Sequence, residues 1–240
     1  MYRSGIDKSH DVAERYLATH RSTHRYLAYR DLNNTLERYS IGKRALDYGA
    51  GLGYSAEVLS QLGLEVTAVD ISKEMVALAA TFYPHLPYFL IRDGKVPLSN
   101  NSQDVVLSSF VLFELSSRRA ILSYLEEAQR VLCPKTGILI AITGSEQLHC
   151  PIRNWLLFDP NYPENYNRAS GSTVKLRLRE ADLEFEDYFW TEADYRQEFS
   201  QAGFDILEIQ HPVGYTSEPY EWRDERNHSP YTIFIAKTNT

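Results

Sequence analysis

The stretch Ala45-Leu46-Asp47-Tyr48-Gly49-Ala50-Gly51-Leu52-Gly53-Tyr54 constrains this chain more than any other. A short apolar run that reads as a strand meets three glycines at alternate positions, and a helix-forming segment follows at 55–62, stopped by Gly63. A strand that turns at once into a helix aims the first backbone N–H groups of that helix at one spot beyond the sheet edge. Glycines permit the positive φ angles such a turn requires and keep side chains out of the way of a close-approaching ligand. Seventeen residues after Gly53, a second strand, 64–70, ends in Asp70. In an open α/β sheet that position lies beside the glycine turn, at the carboxyl edge where strand order reverses. A carboxylate there can accept both hydroxyls of a ribose, so the two features together predict a nucleoside ligand.

The chain on either side keeps the same rhythm. Residues 9–40 show apolar side chains three or four apart and read as two helices broken near 20–23. After the second strand, Ser72 caps a helix over 73–82 that ends before Pro84. Strands are predicted at 87–91, 104–110 and 136–143, with a helix from Ser116 or Ser117 to 132 between the last two. The segment TGILIAIT is apolar along its whole length, as strands buried on both faces are. Strands alternating with helices at this spacing imply right-handed βαβ units and an open, doubly wound parallel sheet. The rhythm breaks at 144–190, a segment dense in Asn, Pro and aromatic residues with one alternating stretch at 174–179. An unstructured loop of that length is uncommon inside a compact domain, so a small subdomain or lid is expected. A capped helix at 191–202 and strands at 204–210 and 231–236 complete the chain. The reading is a single domain over 1–240: a helical cap at 1–40, a ligand-binding core at 41–143, an insertion at 144–190, and a closing helix with two strands at 191–240.

Composition narrows the class. The 240 residues are 43% hydrophobic and 24% charged, which excludes disordered and fibrous chains. A net charge of −7 argues against a nucleic-acid backbone as the main partner. Two cysteines, Cys133 and Cys150, make no disulfide framework and no metal-type pair, which suits a reducing, cytoplasmic setting. No apolar run is long enough to cross a membrane, and the polar opening MYRSGIDKSHD is unlike a signal peptide.

The nucleoside class follows from detail. A dinucleotide fingerprint places its third glycine three residues after the second; that position here holds Tyr54. Asp47, inside the strand end, would repel a pyrophosphate and suits an amine-bearing or cationic ligand. These residues carry a resemblance. LDYGAGLGYSAEVL, EVTAVDIS, FLIRDGKVPLSNNSQDVVLSSFVLFEL and RVLCPKTGILIAI resemble, in order over 40–143, the class I S-adenosylmethionine-dependent methyltransferases. AGFDILEIQ and SPYTIFIAKT are similar to that family's last two strands. The resemblance implies a Rossmann-like, seven-stranded, mostly parallel sheet with an antiparallel last strand, and S-adenosylmethionine as cofactor. It further implies that Gly49 and Gly51 pack on the methionine part and that Asp47 holds the turn and the α-amino end. Asp70 would take the ribose, Ile71 and Met75 would flank adenine, and Asp93 and Gly94 would meet the adenine amine. Ser108, Ser109 and Phe110 would line the sulfonium and acceptor side.

The acceptor implied is a small molecule. The segment after strand four, Ser108-Ser109-Phe110-Val111, lacks the N/D-P-P-Y/F motif of nucleic-acid base methylators. Glu114 lacks the Asp-Asn partners of the metal-dependent catechol type, so no metal is expected. Small-molecule members build their acceptor pocket from N-terminal helices and the insertion after strand five. Here those segments hold Tyr16, Tyr26 and Tyr29, then His149, Arg153, Trp155, Phe158, Tyr162, Tyr166, Phe189 and Trp190. Aromatic walls suit a flat or cationic acceptor. His149 and His211 are the general-base candidates, since histidine titrates near neutrality. Arg25 and Arg30 are both candidates for the cofactor carboxylate, and position does not choose between them. His10, His20 and His24 read as helix surface. A transferase acting on an O or N atom of an aromatic or amine-bearing metabolite, as monomer or homodimer, is the first hypothesis. A catalytically silent cofactor-binding or regulatory protein is the second.

Overall fold

The computed structural model describes residues 24–239, so Tyr16, His10, His20 and the helix expected from residue 9 lie outside the described residues, as does the side chain of His24. Two short helices, α1 (His24–Tyr29) and α2 (Leu32–Tyr39), lead into β1 (Arg44–Tyr48). Then come α3 (Tyr54–Gln61), β2 (Glu65–Asp70), α4 (Lys73–Phe82), β3 (Tyr88–Leu90), β4 (Val105–Ser109), α5 (Arg118–Val131) and β5 (Ile138–Gly144). The insertion contributes β6 (Phe158–Asp159), β7 (Thr173–Leu178) and β8 (Leu183–Tyr188). The chain closes with α6 (Glu192–Gln201), β9 (Phe204–Gln210) and β10 (Tyr231–Thr238).

The main sheet has seven strands in the order β3-β2-β1-β4-β5-β10-β9. Pairs from β3 through β5 are parallel, and β10 runs antiparallel to both its neighbours, as expected from the sequence. Strand alternation sorts the core into two layers. Ala45, Val105, Leu107, Ile138 and Ile140 face α1, α2 and α3, while Leu46, Val106, Leu139 and Ala141 face α5 and α6. Local chemistry sets the helix starts: Ser72 Oγ accepts from the Met75 amide, Ser117 Oγ accepts from the Ala120 amide, and Thr191 with Asp194 forms a capping box.

The insertion is the part the sequence showed least. It folds as an antiparallel sheet ordered β6-β7-β8, with Lys175 opposite Glu186 and Arg177 opposite Glu184 on its polar face. Its apolar face, with Trp155, Phe158, Leu176 and Leu178, joins the first core layer. Phe189 and Trp190 are buried as well, and the Trp190 indole donates to the Leu115 carbonyl at 3.0 Å. Trp155, Phe158, Phe189 and Trp190 are therefore core residues, while Tyr166 is exposed and the Tyr162 hydroxyl donates to Glu184.

Candidate functional site

The sheet order reverses between β1 and β4, and a cavity of about 820 Å³ opens at that point, within the usual range of small-molecule sites. Its floor is the glycine turn. The Gly49 and Ala50 amides both donate to the Val69 carbonyl at 2.9 Å, drawing the turn across the end of β2. Gly49 has φ +85°, and a Cβ there would lie 2.4 Å from Val111 Cγ2, so close packing of the floor requires glycine. Gly51 has φ +52°, and a Cβ there would meet nothing within 4 Å. Gly51 therefore leaves open space above the turn, and that space is the cavity.

Asp70, 4% exposed, lines the cavity and ties its parts together. One carboxylate oxygen accepts the Gly51 amide and the other the Ser72 amide, each at 2.8 Å. Each oxygen keeps a second lone pair for a ligand hydroxyl. Asp47 lies beneath the turn with no exposed surface and does not line the cavity. Its Oδ2 accepts the Ser55 hydroxyl at 2.6 Å and its Oδ1 has no hydrogen-bond partner. Burial pushes its carboxyl up to about 7; the Ser55 hydrogen bond opposes that rise and the negative Asp70 adds to it. Ile71, Met75, Asp93 and Gly94 line the cavity on the side of β2 and β3.

The end of β4 divides two neighbours. Ser108 faces the second core layer, fully buried, with its Oγ 2.9 Å from the Tyr124 hydroxyl, and it does not line the cavity. Ser109 points to the cavity side with a buried hydroxyl that has no hydrogen-bond partner. Phe110 adopts φ +62°, a left-handed conformation that costs a non-glycine residue about 1–2 kcal/mol. Its amide is held by the Ile142 carbonyl at 2.8 Å, and its ring lies 6.3 Å from Tyr29 and 5.4 Å from Tyr231. Tyr29 in turn sits 5.6 Å from Tyr54, over which the Arg25 guanidinium lies at 4.6 Å. Arg25, Tyr29, Tyr54, Val111, Glu114 and Leu115 all line the cavity. Of these, Arg25 and Tyr29 are the binding candidates that the sequence offers. Tyr54 stands out there only as a departure from the dinucleotide fingerprint, although a residue directly after the last turn glycine must border whatever the turn holds.

Both histidine candidates lie elsewhere. His149 is 3% exposed, with Nε2 3.1 Å from Asp187 Oδ2 in β8, inside the insertion and off the cavity. A buried histidine facing a buried carboxylate holds two segments together; it has no path to a substrate here. His211 is half exposed and pairs with Glu192 at 3.1 Å, at the rim of a separate depression bordered by Arg38 and Glu208. No residue of 144–190 lines the cavity; beside it, β8 packs against the 112–114 turn and the Trp190 indole donates to the Leu115 carbonyl. Of the two arginines, Arg25 borders the cavity and Arg30 is turned away to Glu218 and Asp31. Among the described residues no group of three His, Cys, Asp or Glu side chains could hold a metal ion.

Comparison with known proteins fits this geometry. Residues 46–141 match the family model described as a methyltransferase domain. Over those residues the chain is similar to methyltransferase domains. It is 34% identical over 103 residues to a demethylmenaquinone methyltransferase of Tropheryma whipplei, a match covering 42% of each chain. It is 31% identical over 131 residues to the biotin biosynthesis bifunctional protein BioHC of Cellvibrio japonicus, covering 54% of this chain and 25% of that one. The match thus spans less than half the length of these curated relatives. A putative S-adenosylmethionine-dependent methyltransferase from Listeria monocytogenes shares the fold at a TM-score of 0.65 and 18% identity, over 89% of this chain and 99% of that one. The matched 46–141 segment runs from within β1 to within β5, and so includes the glycine turn, Asp70, Asp93 and Phe110.

Proposed function

We propose that this chain transfers the methyl group of S-adenosylmethionine to an O or N atom of a small metabolite, aromatic or amine-bearing, by in-line displacement. The observation that carries the reading is the single cavity in which the Gly49–Gly51 turn and Asp70 share a volume with an aromatic wall of Tyr29, Tyr54 and Phe110. The residues present fit the cofactor. The open space over Gly51 admits a ligand against the backbone, Asp70 has lone pairs for two ribose hydroxyls, and Asp93 with Gly94 faces the adenine side. Ile71 and Met75 supply apolar surface for the ring, and Arg25 is the cation for the carboxylate. When bound, S-adenosylmethionine supplies an electrophilic methyl on a sulfonium whose departure needs no proton.

What remains for the protein is to align the acceptor and exclude water. The Tyr29, Tyr54 and Phe110 rings give a flat acceptor a desolvated surface to lie on, and the Ile142 carbonyl holds Phe110 there despite its strained backbone. Among the described residues no imidazole lines the cavity, so the reading uses no histidine base; an acceptor that presents a phenolate or the lone pair of a free amine needs none. Relatives named demethylmenaquinone methyltransferases support a small-molecule acceptor. The test incubates the purified protein with methyl-labelled S-adenosylmethionine and a fractionated metabolite extract. Label in a small molecule is expected. Binding of NAD with no calorimetric response to S-adenosylmethionine or S-adenosylhomocysteine would overturn the reading.

A further inference from the structure

Helix α1 carries two cavity residues and is held by contacts on both its sides. Its side chains divide by helical spacing. Arg25 and Tyr29, four apart, face the cavity, and Leu27 and Ala28 enter the core. Tyr26 and Arg30, also four apart, face the segment between β9 and β10.

That segment is organised around one carboxylate. Glu218, 7% exposed at its side chain, accepts Arg30 Nη1 at 2.7 Å through one oxygen. Through the other it accepts the Trp222 indole at 2.6 Å and the Tyr215 amide at 2.8 Å. Arg30 also donates to the Val213 carbonyl at 2.9 Å and lies over the Tyr215 ring at 4.5 Å. Tyr26 packs on Tyr220 at 4.8 Å, and Tyr220 on Trp222 at the same distance. Gly214 seats the turn against the indole, because a Cβ there would lie 2.4 Å from Trp222 Cδ1.

We propose that Glu218 is a positioning residue for the cavity, acting through Arg30 and Trp222 to seat α1 so that Arg25 and Tyr29 complete the wall beside Tyr54 and Phe110. The inference rests on the reading of the cavity as a sulfur-nucleoside site. With Glu218 neutral, Arg30 keeps only the more exposed Asp31 of its own turn as counter-charge, nothing charged then ties it to the segment between β9 and β10, and α1 spends less time docked. Ligand affinity then falls in proportion to the docked fraction.

The experiment uses the full chain and S-adenosylhomocysteine as probe. In Glu218→Gln, the dissociation constant is expected to rise about tenfold, matching a docked fraction near one tenth. Amide exchange over 25–30 should accelerate while amides of β4 and β5 keep their protection. Glu218→Asp, which keeps a carboxylate for Arg30, should bind closer to wild type than Glu218→Gln, a difference that general destabilisation would not require. If Glu218→Gln does not fold, Arg30→Lys carries the same comparison, since an ammonium cannot reproduce the guanidinium's planar set of contacts. Binding within twofold of wild type despite faster α1 exchange would overturn the proposal, and so would unchanged exchange. A wild-type protein that binds no S-adenosylhomocysteine would refute the nucleoside reading itself, whatever α1 exchange shows, and this inference with it.

Discussion

Gly51→Ala separates the cost of a strained backbone from the cost of a filled site. At φ +52° an alanine sits in the left-handed region, which costs about 1–2 kcal/mol, partly offset by the reduced entropy of the unfolded chain. Nothing lies within 4 Å of the added methyl, so no packing clash adds to that cost. A net loss of about 1 kcal/mol lowers the melting temperature of a chain this size by roughly 2–4 °C. Binding should suffer far more, because the methyl projects into the volume a ligand needs to reach the turn. The Gly49, Ala50 and Gly51 amides already have acceptors within the protein, so the loss is steric, and overpacking of this kind costs about 1–3 kcal/mol, or roughly five- to 150-fold in affinity. Gly63→Ala is the internal control. Gly63 has φ +84°, has equally open surroundings and does not line the cavity. Calorimetry with S-adenosylhomocysteine, beside thermal melts of both variants, reads the two effects separately. The reasoning fails if both variants lose the same stability and both bind as tightly as wild type.

Asp70→Ala is expected to weaken S-adenosylhomocysteine binding about ten- to a hundredfold; because the Gly51 and Ser72 amides lose their acceptor, a stability loss of about 1–3 kcal/mol should accompany it in urea unfolding. Asp47 is held near 7 in the folded chain against 3.8 unfolded, so the folded state binds the extra proton between those values and this group's stabilisation, complete below 3.8, is lost as pH rises to 7. Wild type should therefore lose about 2.5 kcal/mol more than Asp47→Asn between pH 5 and pH 7.5, and parallel stability profiles for the two would show that Asp47 does not titrate there. His149→Ala should destabilise the protein by about 3 kcal/mol, by leaving Asp187 buried without its partner. Its S-adenosylhomocysteine affinity should stay within twofold of wild type, and a selective loss of binding would return His149 to the site.

The division between what was legible and what was not follows the range of the forces involved. Gly49, Gly51, Gly53 and Asp70 could be read directly, because a positive φ and a strand-end carboxylate are requirements of a few consecutive residues. The open, doubly wound parallel sheet followed from alternation and handedness, which act between neighbouring elements, and its seven strands with an antiparallel last strand from the family resemblance. Ser108 and Ser109 mark the limit. Adjacent strand residues point to opposite faces, and the pairing of Val105–Ser109 with Ile138–Ile142 beside α5 decides that Ser109 meets the cavity while Ser108 meets Tyr124. His149 and the aromatics of 144–190 looked like site residues because their types suit catalysis and binding. Tertiary packing assigned His149 to Asp187 and Trp155, Phe158 and Trp190 to the core, and left Tyr166 exposed. Arg25 and Arg30 were equivalent in one dimension; a Glu218 carboxylate 188 residues further along the chain takes Arg30 and leaves Arg25 at the cavity. The sequence by itself determined where backbone geometry demands glycine and where a strand ends in a charge. Which side chains share the cavity was settled only by contacts between residues far apart in the chain, since their pairing depends on the whole core closing around them.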